Sequence, residues 1–172
     1  MAACVRARVR VGWIRARRRP GVSTGPPLNP RIVRQAMNLD EAIAELRRRN
    51  QPVPLPGRLP TSEEVEAMET QLGVSFPKDY RRFLLQASDV VYGIHEPATV
   101  DNPRAHTHLP KVVASARAYG VPEELFPFCK DNADFYCLTP SEQVQFWSHN
   151  GWSRETWHDL AHWIHDVWLG SA

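Results

Sequence analysis

The chain has 172 residues, 42% of them hydrophobic and 23% charged, with 15 Pro, 9 Gly and 3 Cys. That length fits one domain, or one domain plus a tail, and is enough to bury a core without covalent staples. No run of about 18 apolar residues exists, which excludes a membrane-spanning helix, and three cysteines are too few for a disulfide framework and point to a reducing, cytoplasmic setting.

The net charge of +2 averages two unlike pieces. Residues 1–36 carry nine Arg and no Lys, Asp or Glu, a charge of +9, whereas residues 37–172 carry the other 12 basic and all 19 acidic residues, a charge of −7. The first piece has too few apolar residues to build a core and is punctuated by Pro20, Gly21, Pro26, Pro27 and Pro30, so it reads as a disordered Arg-rich tail. Three explanations fit it: a mitochondrial transit peptide, a nucleic-acid-binding arm, or a start codon set too early. The last is favoured, because Met37 opens an ordinary helix at once. No secretory hydrophobic stretch is present.

From there the elements follow in order. Leu39, Ile43 and Leu46 share one helical face over residues 39–49, and Arg47–Arg49 suit the helix C-terminus. Residues 51–60 form a stiff, Pro-rich connector. Thr61 and Glu64 make a capping box for a second helix carrying Val65, Met68 and Leu72, which Gly73 should stop. Phe76-Pro77 starts a third helix, Pro fitting its first position, with a buried stripe of Tyr80, Phe83, Leu84 and Ala87.

Residues 88–110 are loop-rich, with a short strand near Val90–Ile94. A helix over 111–119 should stop at Gly120. Leu125–Phe128 reads as a strand, and Asp134–Leu138 and Val144–Trp147 as two more joined by the turn Thr139-Pro140-Ser141-Glu142. An amphipathic helix over 153–168 closes the chain. The pattern predicts an α+β fold: an antiparallel-rich central sheet flanked by helices at both ends of the domain.

Two stretches carry a family resemblance. One is Glu69-x-x-Leu72-Gly73-Val74-x-Phe76-Pro77-x-x-Tyr80-x-x-Phe83-Leu84. The other runs through Gly120-Val121-Pro122, Pro127-Phe128-Cys129, Asp131-Asn132, Asp134-Phe135-Tyr136-Cys137-Leu138, Val144-x-Phe146-Trp147-Ser148-His149-Asn150-Gly151 and Trp157-x-x-Leu160-Ala161-x-Trp163-Ile164. Together they resemble the SUKH superfamily, in its Smi/Knr-like branch, over most of residues 37–170, so that 37–172 is read as a single SUKH-like domain. Where the family often has Gly before the acidic residue, this chain has Ala133. The resemblance implies a non-enzymatic α+β domain. Many bacterial members are thought to be immunity proteins that bind and block a polymorphic toxin, often a nuclease, and fungal relatives act as interaction hubs in cell-wall and signalling control.

Few residues argue for chemistry of their own. His158, His162 and His165 follow at i, i+4, i+7 on the predicted last helix, with Leu160, Trp163, Ile164 and Val167 on the other side, and so read as its solvated face rather than a metal site. Cys129 and Cys137 lack zinc-ligand spacing. Cys137 reads as a small core residue on the face of Phe135, with a disulfide between the two cysteines left open. His106 and His108 lie in a loop with no acidic residue adjacent in sequence. No phosphate-binding Gly motif and no nucleophile elbow is present. The reading therefore assigns no catalytic residue, no cofactor and no metal.

Trp157, Trp163 and Trp168 are core candidates on the last helix, whereas Trp152 follows Asn150-Gly151 and is a candidate interface anchor. The acidic body should repel nucleic acid and attract a basic protein partner. The expected partner-binding residues are Glu123, Glu124, Asp131, Asp134 and Trp152, and the expected partner is a cognate toxin domain, with no membrane association. A housekeeping interaction module is the alternative.

Overall fold

The computed structural model describes residues 38–170 except Trp152 and Arg154. The Arg-rich segment 1–36 and the anchor candidate Trp152 therefore lie outside the described residues.

Three helices open the fold, and local signals set their ends. Helix α1 (Leu39–Arg49) starts at a capping box in which Asn38 Oδ1 accepts from Glu41 N at 2.9 Å and Glu41 reaches back to Asn38 N. It buries Leu39, Ala42, Ile43 and Leu46. Helix α2 (Ser62–Leu72) has the expected Thr61–Glu64 box, and Gly73 ends it with φ +67°, a left-handed conformation that glycine adopts without a Cβ penalty. Arg58 clasps Glu64 from outside, and that contact, with the Thr61 backbone bond, holds the Glu64 carboxyl near pKa 2.

Helix α3 (Lys78–Ala87) begins one residue later than expected, with Pro77 standing before its first turn and no side chain capping it. Its entrance is fixed by Glu69 instead. That carboxylate accepts from Phe76 N at 2.7 Å and pairs with Arg81 at 2.5 Å. The predicted stripe of Tyr80, Phe83, Leu84 and Ala87 is buried.

Helix α4 (Leu109–Tyr119) comes next and stops at Gly120 with φ +95°. It starts earlier than 111 because Pro110 suits a first helical turn. The sheet is a five-stranded antiparallel meander in the order β1 (Glu96–Pro97), β2 (Phe126–Asp131), β3 (Asp134–Leu138), β4 (Val144–Trp147), β5 (Thr156–Trp157). The strand expected at Val90–Ile94 is not formed. The two-residue β1 lies just beyond it, where Glu96 and Pro97 pair with Lys130 and Cys129. Strand β2 runs past Phe128 to Asp131 because β3 supplies a pairing partner for every residue but one.

The unpaired residue is Phe128, in a bulge between Pro127 and Cys129. A proline in an inner strand is tolerated at such a bulge. The bulge turns Phe128 into the core, against Trp163 at 4.8 Å between ring centroids, and its carbonyl accepts from Ala98 N at 2.7 Å. Strand β3 is buried at every position from Phe135 to Leu138, as expected of a strand covered on both faces. Phe135 meets Tyr119 of α4, while Tyr136 points the other way, to Trp163. Helix α4 thus covers one face of the sheet, and an aromatic cluster of Tyr80, Phe83, Phe128, Trp163 and Trp168 covers the other.

The closing segment departs from the sequence reading. Residues 153–168 are not one helix. Strand β5 comes first, held to Val144 and Gln145 of β4, then helix α5 (Leu160–Trp163), capped by Asp159 and continued by a π-helical turn over Ile164–Trp168. Trp157 therefore sits half-buried on an edge strand against Tyr136. Trp163 and Trp168 are core residues as expected, 0% and 1% exposed. The π turn explains their pairing. Residues five apart stand about 140° apart on an α-helix, but the wider i→i+5 ladder, seen in Leu169 N donating to Ile164 O, brings the two indoles to 6.1 Å. Trp168 Nε1 donates to Tyr92 O at 2.8 Å.

Candidate protein-binding face

The sequence-predicted site residues fall at opposite ends of the β2–β3 hairpin. Glu123 and Glu124 precede β2, and Asp131 and Asp134 flank the turn at its far end. Five residues of extended strand separate the two ends by about 17 Å.

At the near end the backbone is locked. The guanidinium of Arg117, in the last turn of α4, donates to four carbonyls: Val121 at 3.1 Å, Pro122 at 2.7 Å, Glu123 at 3.4 Å and Leu125 at 3.0 Å. Leu125 N closes the turn onto Pro122 O. Val121 and Leu125 are buried beneath it, which leaves Glu123 and Glu124 facing solvent. Their carboxylates have no hydrogen-bond or ion-pair partner among the described residues. They rim a groove of about 440 Å³ whose wall includes Val74, Phe76, Phe126 and Pro140. Glu142 adds a third carboxylate to this rim, held in a left-handed turn (φ +63°) by its N–H bond to Thr139 O. Lys78 is the exposed cation at the groove.

At the far end the acids are engaged. Asp131 and Asp134 pair across the turn, and Asn132 takes the positive φ, +55°, so Ala133 needs none and the missing glycine is accommodated. Asn132 donates to Asp131 at 3.1 Å. Asp134 Oδ1 accepts from His149 N at 3.0 Å and lies 2.7 Å from His149 Nδ1. Burial pushes the Asp134 carboxyl up, but the His149 bonds outweigh it and hold it below the usual carboxylate range. Asp134 therefore ties the hairpin turn to the exit of β4.

Both body cysteines are free thiols, buried in the sheet, so the disulfide left open by the sequence is not formed. Burial pushes both thiols up, Cys137 to about 12 even beside Arg117, so neither is a thiolate nucleophile near neutral pH. The phenols of Tyr80 and Tyr136 are likewise pushed up by burial.

The histidines are placed differently from their sequence pattern. His106 does have an acidic neighbour, Glu96 of β1, with Nε2 at 2.7 Å from Oε2, whereas His108 is buried. His95 is also buried, edge-on to Tyr136, and burial lowers its pKa against a raising effect of Asp131. It lies in a cleft of about 250 Å³ with Asp89, Tyr92 and Asp101. His158 precedes α5 rather than riding on it, and stands with Asp159 and His162 in one cluster that His165 does not join. The chain after β1 brings His106 back to Glu96, whereas the cluster at His158 is local, and the helical spacing showed its two histidines but not Asp159.

The comparisons agree with this architecture. A family model described as SMI1-KNR4 cell-wall (SUKH_5) matches residues 39–169. A solved structure titled "Crystal structure of protein from Pseudomonas syringae pv. tomato" is 45% identical, with a TM-score of 0.74, over 77% of this chain and 99% of that one. No curated protein matches the chain. No helix among the described residues is long and apolar enough to cross a membrane. With the α+β fold, the motif order and a family match over most of its length, the chain belongs to the SMI1-KNR4 cell-wall family of the SUKH superfamily.

Proposed function

We propose that this protein is a cytoplasmic, non-catalytic binding domain of the immunity type, which neutralises a cognate toxin by covering a basic surface on it. The observation that carries the reading is the groove beside β2. There, Glu123 and Glu124 stand on a backbone held by Arg117, and Glu142 joins them from the β3–β4 turn at the rim of a partly apolar wall. Exposed carboxylates on a fixed backbone beside a partly apolar groove suit a basic protein patch, because steering raises the association rate while little backbone ordering remains to be lost. A body charge of −7 adds the long-range attraction. Asp131 and Asp134 form a second acidic point about 17 Å away. Their engagement with Asn132 and His149 makes them secondary contacts in this reading, and Trp152 remains its proposed aromatic anchor.

The test is a search of the neighbouring genes for a basic toxin domain, binding of any such domain to this protein, and stopped-flow association at two salt concentrations. Charge reversal in the double variant Glu123→Lys/Glu124→Lys should slow association about tenfold at low salt and flatten its salt dependence. An unchanged rate in that variant would falsify the groove as the contact surface. The family description points to cell-wall biology, which supports a second reading as an interaction module for a housekeeping client. In that case no toxin is bound.

A further inference from the structure

We propose that His158, Asp159 and His162 form a surface site for one divalent transition-metal ion of the zinc class. The three side chains come from the junction of β5 with α5, and one ligand atom from each lies within 4.8 Å of the others. His158 Nδ1 is 2.9 Å from Asp159 Oδ2, and His162 Nδ1 is 2.7 Å from Asp159 Oδ1. The two imidazole rings are 5.3 Å apart between centroids. Ligand atoms around a tetrahedral zinc ion at about 2.0–2.1 Å stand about 3.3 Å from one another, so small side-chain rotations convert the observed contacts into coordination bonds.

Two of the three ligands are held in place before any ion arrives. Asp159 is the helix cap, its Oδ1 accepting from His162 N at 2.9 Å. His162 rides on α5, whose Leu160, Ala161 and Trp163 are locked in the core. His158 is the adjustable member, its side chain 80% exposed and free to close on the ion. Two neutral imidazoles and one carboxylate make a donor set suited to zinc, and to nickel and copper by the same preference. Magnesium and calcium, which favour oxygen donors throughout, fit it poorly. With three protein donors at the surface, the ion keeps a fourth position for water or for a donor from another molecule.

The test is calorimetric titration of zinc chloride into the full chain in a non-chelating buffer near neutral pH, with thermal unfolding measured alongside. One ion should bind at this site and raise the melting temperature. His158→Ala, His162→Ala and Asp159→Asn should each weaken that binding at least tenfold and remove the melting shift. Asn still serves as a helix cap and His158 is exposed, so both of those variants keep the fold, which circular dichroism verifies. His165→Ala, whose ring contacts Asp166 instead, should change the affinity less than twofold. The absence of saturable binding, or an affinity unmoved by His158→Ala and His162→Ala, overturns the proposal.

Discussion

The two ends of the β2–β3 hairpin carry the same pair of charges and put them to opposite uses. Before β2, Glu123 and Glu124 stand on a backbone whose carbonyls are satisfied by Arg117, so their carboxylates are left for solvent or a partner. At the β2–β3 turn, Asp134 is spent on His149 and Asp131 on Asn132. An acidic residue is more available for recognition when something else holds its backbone, and less so when its own side chain does the holding. A count of acidic residues along the sequence treats the two ends alike.

The sharpest way to break this contrast is to remove the group that holds the near end. Arg117→Ala leaves four carbonyls to find water and deletes charge-assisted bonds worth about 1.5–3 kcal/mol each before compensation. Its aliphatic stem is half-buried, so packing is lost as well. We expect a stability loss of about 2–3 kcal/mol in urea unfolding. Amide exchange should quicken over residues 120–126 while protection at 131–134 stays unchanged. Equal loosening at both ends would show that the hairpin is one unit and that Arg117 does not act locally.

The second prediction concerns the far end. Asp134→Asn removes the ionic part of the His149 clasp and should cost about 1 kcal/mol at neutral pH. The sign of its pH dependence follows from the depressed carboxyl. Because folding lowers the Asp134 pKa below 3.8, its contribution is fully present above that unfolded value and is lost as pH falls through the folded one. Stability curves of the native protein and of Asp134→Asn should therefore run apart at pH 7 and converge below about pH 3.8. A constant gap down to pH 2 would mean that packing, not charge, makes the clasp.

What the sequence revealed of this arrangement was its local part. The Thr61–Glu64 box, the stops at Gly73 and Gly120, the stripe of Tyr80 to Ala87 and the turn before β4 each depend on residues a few positions apart. What it concealed depends on distant partners. Strand β5 exists because Thr156 and Trp157 find Gln145 and Val144, and nothing within 153–168 interrupts the helical periodicity that hides it. The same strand ends at Trp157, so His158 lies before α5 rather than on it. The groove beside β2 joins Phe76 to Phe126, which are 5.4 Å apart between ring centroids yet lie in separate parts of the chain. Glu142 could not be grouped with Glu123 and Glu124 until the sheet brought them to one rim.

The smallest expected effect is the most discriminating one. Neutralising the near-end acids, as Glu123→Gln with Glu124→Gln, should change stability by no more than about 0.5 kcal/mol, because exposed side chains away from caps, cores and networks rarely matter more. A slight gain is the expected direction, since the substitution relieves self-repulsion in a body carrying −7. The same double variant should slow association with a basic partner at low salt, by less than the charge reversal does. A pair of residues that is neutral for folding and needed for fast association is one held in place for a purpose outside the fold. A stability loss above about 1 kcal/mol would instead make Glu123 and Glu124 structural residues, like Asp134, and would dissolve the distinction between the two ends.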